Sequence, residues 1–147
     1  MRLREIYTLT REQINFAQRT IFLDKTKNGS KRQVPMSTVL VRVLSEYLPE
    51  LPENEQRVFP TLWDGRTDAN GLRGASTRLS HRFAARFAQA GCPDLHLHDL
   101  RHTAVCRLYE LTTLSDVEIS KITGHSDLRM LRRYANLRGS DLSKRLW

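Results

Sequence analysis

Three short groups of residues in the last third of the chain have the types and spacing to act on a phosphate. The first is His98-Asp99-Leu100-Arg101-His102-Thr103, with His98 and Arg101 three positions apart. On a helix that spacing puts both side chains on one face. At the helix N-terminus they would also share its partial positive charge, which favours a bound anion. Arg101 can grip two phosphate oxygens with its fork, and His98 can move protons near neutral pH. The second group is Gly124-His125, where a helix-ending glycine is followed by a histidine able to donate to a phosphate oxygen. The third is Tyr134, nine positions after His125 and surrounded in sequence by Arg129, Arg132 and Arg133. A phenol, with a pKa of about 10, is a weak nucleophile at neutral pH, and nearby cations would favour its phenolate. Its attack on a phosphodiester would break a DNA strand and keep the bond energy in a covalent link. Far upstream, Lys27 precedes Asn28-Gly29 at a hairpin tip, from which it could protonate a leaving oxygen as general acid. Lys25 and Lys31 compete for that role.

Each residue also has a plain structural reading. His98 can cap a helix, Arg101 can form a surface ion pair, His125 can be an ordinary loop histidine, Tyr134 a core tyrosine and Lys27 a solvated hairpin lysine. A metal site is the competing chemical reading, because Cys92, His96, His98, His102 and Cys106 are clustered in sequence. No CxxC or HExxH pattern supports it. Phosphate-binding glycine loops and the nucleophile elbow of serine hydrolases are missing as well. Neither a metal nor a cofactor is therefore expected. Cys92 and Cys106 make no disulfide framework and read as two buried thiols of a reducing compartment.

These candidates need a scaffold, and its elements are readable. The first nine residues suit a helix with Leu3, Ile6, Tyr7 and Leu9 on its apolar face and no cap before it. Arg2 and Glu5 lie one turn apart on another face. Arg19–Leu23 reads as a strand, Lys27–Ser30 as a turn supplied by Asn-Gly, and Lys31–Met36 as the return strand ended by proline. Ser37 is an N-cap candidate. The helix after it is carried by Val39, Leu40, Val43, Leu44 and Leu48, and stops near Tyr47 to Leu48 ahead of Pro52. Residues 49–74 read as loop, with Val58-Phe59-Pro60 briefly extended. Helices follow over about Ala75–Ala90, closed by Gly91, His98–Glu110, Ser115–Thr123, closed by Gly124, and Ser126–Ala135. The polar tail after Asn136 carries Leu142, Leu146 and Trp147, which could dock on the chain's own core or on a neighbour. The fold class expected is mainly α with a small antiparallel hairpin or three-stranded sheet.

With 147 residues the chain fits one domain. It has 24 Lys and Arg against 16 Asp and Glu, a net charge of +8 that favours a polyanionic partner. No apolar run approaches the ~20 residues of a membrane helix, and the first residues form no signal peptide.

Taken as an ordered set, these residues resemble the tyrosine recombinase (phage integrase) family. Arg2-Leu3-Arg4-Glu5 matches its first arginine box, Lys27-Asn28-Gly29 with Val34-Pro35 its hairpin lysine region, and the two C-terminal boxes match most strongly. The resemblance implies site-specific DNA recombination for integration, excision or inversion of a mobile element. Tyr134 would form a 3′-phosphotyrosyl link, and Arg2 and Arg101 would stabilise the phosphate charge. Lys27 would protonate the 5′ oxygen, His98 would assist proton transfer and His125 would hydrogen-bond the phosphate. It also implies double-stranded DNA as partner, a homotetramer on paired sites, and a bacterial or phage-encoded cytoplasmic protein. The chain departs from the family pattern at its start, where the resemblance would lead one to expect a preceding helix and an N-terminal DNA-clamping domain that residues 1–147 do not include. Residues 1–147 are thus expected to be a partial catalytic domain. Thr123 stands before Gly124 where the family more often has leucine, a change given no weight at this level. The rival readings are a topoisomerase-like nicking-closing enzyme and a non-catalytic DNA-binding remnant.

Overall fold

The computed structural model describes residues 1–24, 31–135 and 143. The chain opens with α1 (Leu3–Tyr7), shorter than the apolar spacing predicts. The helix stops because Leu9 and Thr10 leave it to pair with a later segment. The Val58 N–H donates to the Leu9 carbonyl at 3.0 Å, the Arg11 N–H donates to the Gln56 carbonyl at 2.9 Å, and Thr10 bridges Arg57. This pairing accounts for the extended piece expected at Val58.

Three strands follow in the order β1 (Ile14–Asn15), β2 (Thr20–Leu23) and β3 (Arg32–Pro35), all antiparallel. Alternation sends Ile21, Leu23 and Val34 inward and Phe22 and Gln33 outward. Arg32 shares the inward face with Val34, two residues on. The two strands meet in register Leu23↔Arg32.

Ser37 caps α2 (Thr38–Tyr47) by accepting the Leu40 N–H at 3.2 Å. Pro49, in the 3₁₀ turn Leu48–Glu50, is the breaker just past its end. Of the five residues expected to form the buried face of α2, only Leu44 and Leu48 are buried, and Val39 is 62% exposed. α3 (Ala69–Gln89) begins six residues earlier than the glycines at 71 and 74 suggested. Asp68 accepts the N–H groups of Asn70 and Gly71, and a Cβ at Gly71 would lie 2.6 Å from the Arg66 Cβ. The glycine is there for close packing and does not break the helix.

α4 (Leu97–Leu111) and α5 (Asp116–Thr123) fall within a residue of expectation. Ser115 caps α5, and Gly124 ends it in the left-handed region at φ 76°. The last predicted helix splits. Leu128–Leu131 is a 3₁₀ turn opened by Asp127, and only Arg132–Ala135 (α6) is α-helical.

Among the described residues, three small apolar cores result. One lies between the sheet and α2 (Ile21, Leu23, Val34, Leu44), and one between α1 and α3 (Tyr7, Ala75, Leu79). The third joins α4, α5 and α6 (Val105, Tyr109, Ile119, Leu131, Tyr134). No described helix is long and apolar enough to cross a membrane.

Candidate active site

The end of α5 anchors two arginines. The last carbonyls of a helix have no partners within it and carry its partial negative charge. The Thr123 carbonyl accepts from Arg101 Nη2 at 2.6 Å, and the Gly124 carbonyl accepts from Arg2 Nη2 at 2.5 Å. Two guanidiniums distant in sequence thus meet at one helix terminus.

A third arginine completes the group. Glu5 accepts from the Arg2 backbone N–H at 2.6 Å and from Arg2 Nη1 at 3.2 Å, so the short helix α1 is closed by its own glutamate. The same carboxylate takes Arg32 Nη2 at 2.7 Å, and both side chains are buried, Glu5 at 6% exposure and Arg32 at 7%. Burial alone would raise the Glu5 pKa. The hydrogen bonds from Arg32 and from the Arg2 N–H, with the charges behind them, outweigh it and hold the carboxyl below its usual value. Arg32 also lies against Gly124, where a Cβ would come within 2.6 Å of its guanidinium. Neither Glu5 nor Arg32 was singled out as a site residue from sequence. The signals were present: Glu5 sits three residues past Arg2, and Arg32 alternates with buried Val34.

Three guanidiniums face one carboxylate, and Arg101 Nη1, Arg32 Nε and Arg32 Nη1 are buried without hydrogen-bond partners. Burial first, then Arg2, press the Arg101 pKa below its ordinary value, with Glu5 opposing. Buried unpaired donors are costly, and an anion would satisfy them.

His125 is set by Thr123. The Thr123 hydroxyl gives its single proton to the Ile119 carbonyl at 2.7 Å, so it can only accept from His125 Nδ1, also at 2.7 Å. The histidine then carries its proton on Nδ1 and turns Nε2 toward Arg101, 3.4 Å away. Burial, then Arg101 and Arg2, lower its pKa to about 4. The residue given no weight in the sequence thus selects the tautomer. His98 is the second residue of α4 and is exposed. Lost hydration, then His102 and Arg101, hold it below the ordinary histidine value.

Tyr134 is buried at 5% exposure. Its ring stacks on Tyr109 at 5.8 Å and 19°, and its hydroxyl is hydrogen-bonded to His102 Nδ1. The expected phenolate-favouring field is corrected by the structure. Arg132 and Arg133 are exposed and Arg129 pairs with Asp127 at 2.8 Å. Burial outweighs Arg133 and Arg101 and raises the Tyr134 pKa. The other tyrosines have structural duties: Tyr7 bonds Asp64, Tyr109 donates to Asp116 at 2.9 Å, and Tyr47 stacks on Phe59.

Arg2, His98, Arg101, His125 and Tyr134 all line one cavity of about 660 Å³. Lys27 lies outside the described residues, as do Leu142, Leu146 and Trp147. Cys92 is exposed and Cys106 half-buried, which corrects the two-buried-thiols expectation. Cys92 falls at the turn after α3, where the chain leaves the packed face. Among the described residues, no group of three or more His, Cys, Asp or Glu side chains is placed to hold a metal ion.

Comparison with known proteins points the same way. The phage integrase family model matches residues 1–140. A shufflon-specific DNA recombinase of Escherichia coli is 35% identical over 146 residues, covering 99% of this chain and 34% of that protein. A tyrosine recombinase XerC of Bifidobacterium longum is 28% identical, covering 99% of this chain and 42% of that one. The chain therefore spans between a third and a half of these relatives' length. In fold it is similar to the XerA recombinase crystal structure, with TM-score 0.69 and 19% identity over 98% of this chain and 51% of that one. It is also similar to the Tn1549 transposon integrase in complex with circular intermediate DNA, with TM-score 0.62 and 18% identity over 98% and 55%.

Proposed function

The chain belongs to the phage integrase family, and on that premise we propose that it cuts and rejoins DNA at specific sites through a covalent tyrosine–DNA link. The observation that carries this reading is the shared cavity, where Arg2, His98, Arg101, His125 and Tyr134 converge from both ends of the sequence. It brings the Tyr134 hydroxyl into one cavity with Arg101, whose Nη1 is buried without a hydrogen-bond partner.

In this reading a backbone phosphate of duplex DNA sits against Arg2 and Arg101, whose forks bind its non-bridging oxygens. The phosphate charge favours protonation of His125 at Nε2, making it a further donor. The Tyr134 oxygen bonds to phosphorus, the bond to the 5′ oxygen breaks, and that oxygen takes a proton from Lys27. In sequence Lys27 lies between β2 and β3, and β3 delivers Arg32 to Glu5. The 3′-phosphotyrosyl link conserves the bond energy, so a 5′ hydroxyl from another strand can reverse the step without a metal or nucleotide. Residues 1–147 serve as the catalytic part of a bacterial or phage-encoded recombinase that moves or inverts a DNA element in the cytoplasm, as a tetramer on paired sites.

The test is a pool of nicked duplexes, randomised around the nick so that cleavage releases a short fragment and traps the adduct. A band retained on a denaturing gel and lost in Tyr134→Phe, with duplex binding unchanged, is the expected result. Binding without an adduct would favour the DNA-binding remnant, and an adduct persisting in the phenylalanine variant would remove Tyr134 as nucleophile.

A further inference from the structure

The nucleophile assignment leaves a chemical need. A buried phenol with a raised pKa must lose its proton as the bond to phosphorus forms. The two histidines that the sequence pattern selects are not placed for this. His125 Nδ1 is committed to Thr123 and its Nε2 faces Arg101. His98 touches the ring of His102, with centroids 4.6 Å apart and planes nearly perpendicular.

His102 is the group at the hydroxyl. It follows Arg101 directly on α4, and successive helix residues diverge by about 100°. Arg101 therefore reaches the end of α5 while His102 reaches α6, where its Nδ1 meets the Tyr134 oxygen. The tyrosine ring is held against Tyr109 among Val105, Ile119 and Leu131. His102 lines the same cavity as Arg2 and Arg101.

We infer that His102 is the proton acceptor for Tyr134, a role resting on the proposed nucleophile. Neutral His102 holds its proton on Nε2 and accepts the phenol O–H at Nδ1. As the tyrosine oxygen bonds to phosphorus, the O–H bond breaks and an Nδ1–H bond forms. The departing 5′ oxygen takes its proton from a separate donor, Lys27. On rejoining, the 5′ hydroxyl gives its proton back to Lys27 as its oxygen bonds to phosphorus, the tyrosine–phosphorus bond breaks and His102 returns the proton to the tyrosine oxygen. The charged and titratable groups around the pair are His98 and His125, which interact with His102, and Arg101, Arg133 and Cys106, which interact with Tyr134.

The test measures adduct formation on the nicked-duplex pool across pH for the parent chain, His102→Gln and His102→Ala. The rate is expected to fall by about 10²-fold or more in both variants, with duplex binding retained. The parent's acid-side loss of rate should disappear from the residual activity. Nitrogen NMR of the DNA-free protein gives a readout that needs no turnover. His102 should show an unprotonated, hydrogen-bonded Nδ1 whose resonance shifts in Tyr134→Phe. A glutamine variant with the parent's rate and acid limb, or a His102 resonance indifferent to Tyr134→Phe, would overturn the proton-acceptor role. If His102 fails while the adduct still maps to Tyr134, the nucleophile stands. If the parent forms no adduct, both readings fall together.

Discussion

At the residue scale the site is governed by one carboxylate among arginines and one threonine beside a histidine. Arg101 illustrates why the fork matters. Its Nη2 is held by the Thr123 carbonyl while Nη1 stays free for a ligand. A lysine offers one point charge in place of that geometry. Arg101→Lys should leave the fold intact and slow adduct formation by roughly 10²-fold, the scale of losing an oriented charge-stabilising donor; an unchanged single-turnover rate would refute this. His125 yields a pH prediction. Its folded pKa of about 4 lies below the ordinary histidine value of 6.5. The folded state thus binds fewer protons than the unfolded chain between those values. The contribution is complete above the unfolded value and is lost as pH falls from 6.5 toward 4. Histidine NMR should place this midpoint near 4, and a DNA duplex should raise it. Glu5 acts in the same direction lower down, because its carboxyl is also depressed. Its stabilisation is present above the unfolded glutamate value and fades as pH drops through the folded one. Chemical denaturation at descending pH should show Glu5→Gln less acid-sensitive than the parent.

At the element scale the decisive feature is the end of α5. Gly124 adopts φ 76° with the buried Arg32 guanidinium against its Cα, so alanine meets both backbone strain and a clash. Gly124→Ala should cost about 1–3 kcal/mol, visible as a lower midpoint in urea, and should weaken DNA binding by displacing Arg32 and Arg2. An exposed helix start gives a milder case. Asp68 caps two N–H groups of α3, and Asp68→Ala should lower the urea midpoint without altering cleavage. This scale also shows what could be read in the chain. The helices α4 and α5 were legible because caps, apolar spacing and Gly124 agree. The start of α3 was not, because Gly71 and Gly74 resemble loop residues until the packing against Arg66 is seen. The two C-terminal boxes pointed to His98, Arg101, His125 and Tyr134, which line one cavity. Arg32, Glu5 and His102 stayed hidden because their roles arise from contacts between elements, such as β3 with α5 and α4 with α6. The field around Tyr134 was misjudged for a related reason. Arginines adjacent in sequence project to solvent, while the ring goes inward.

At the scale of the whole molecule, the site draws its residues from separate elements. α1 brings Arg2 and Glu5, β3 brings Arg32, α4 brings Arg101 and His102, and the α5–α6 link brings His125. The cavity can only assemble when all of them dock, so the proposed chemistry depends on complete folding. The net charge of +8 fits a polyanionic partner. Duplex affinity should fall with salt, with a log–log slope of about −0.9 per phosphate neutralised. The slope should shrink by about one in Arg101→Gln, and an unaltered slope would place the DNA elsewhere. The central claim is that the chain links itself to DNA through one particular tyrosine. The most direct measurement is proteolysis of the trapped adduct from the nicked-duplex pool, followed by mass spectrometry of the nucleotide-bearing peptide. The account predicts a phosphodiester mass on Tyr134 alone. A nucleotide on Tyr7, Tyr47, Tyr109 or a serine would contradict it.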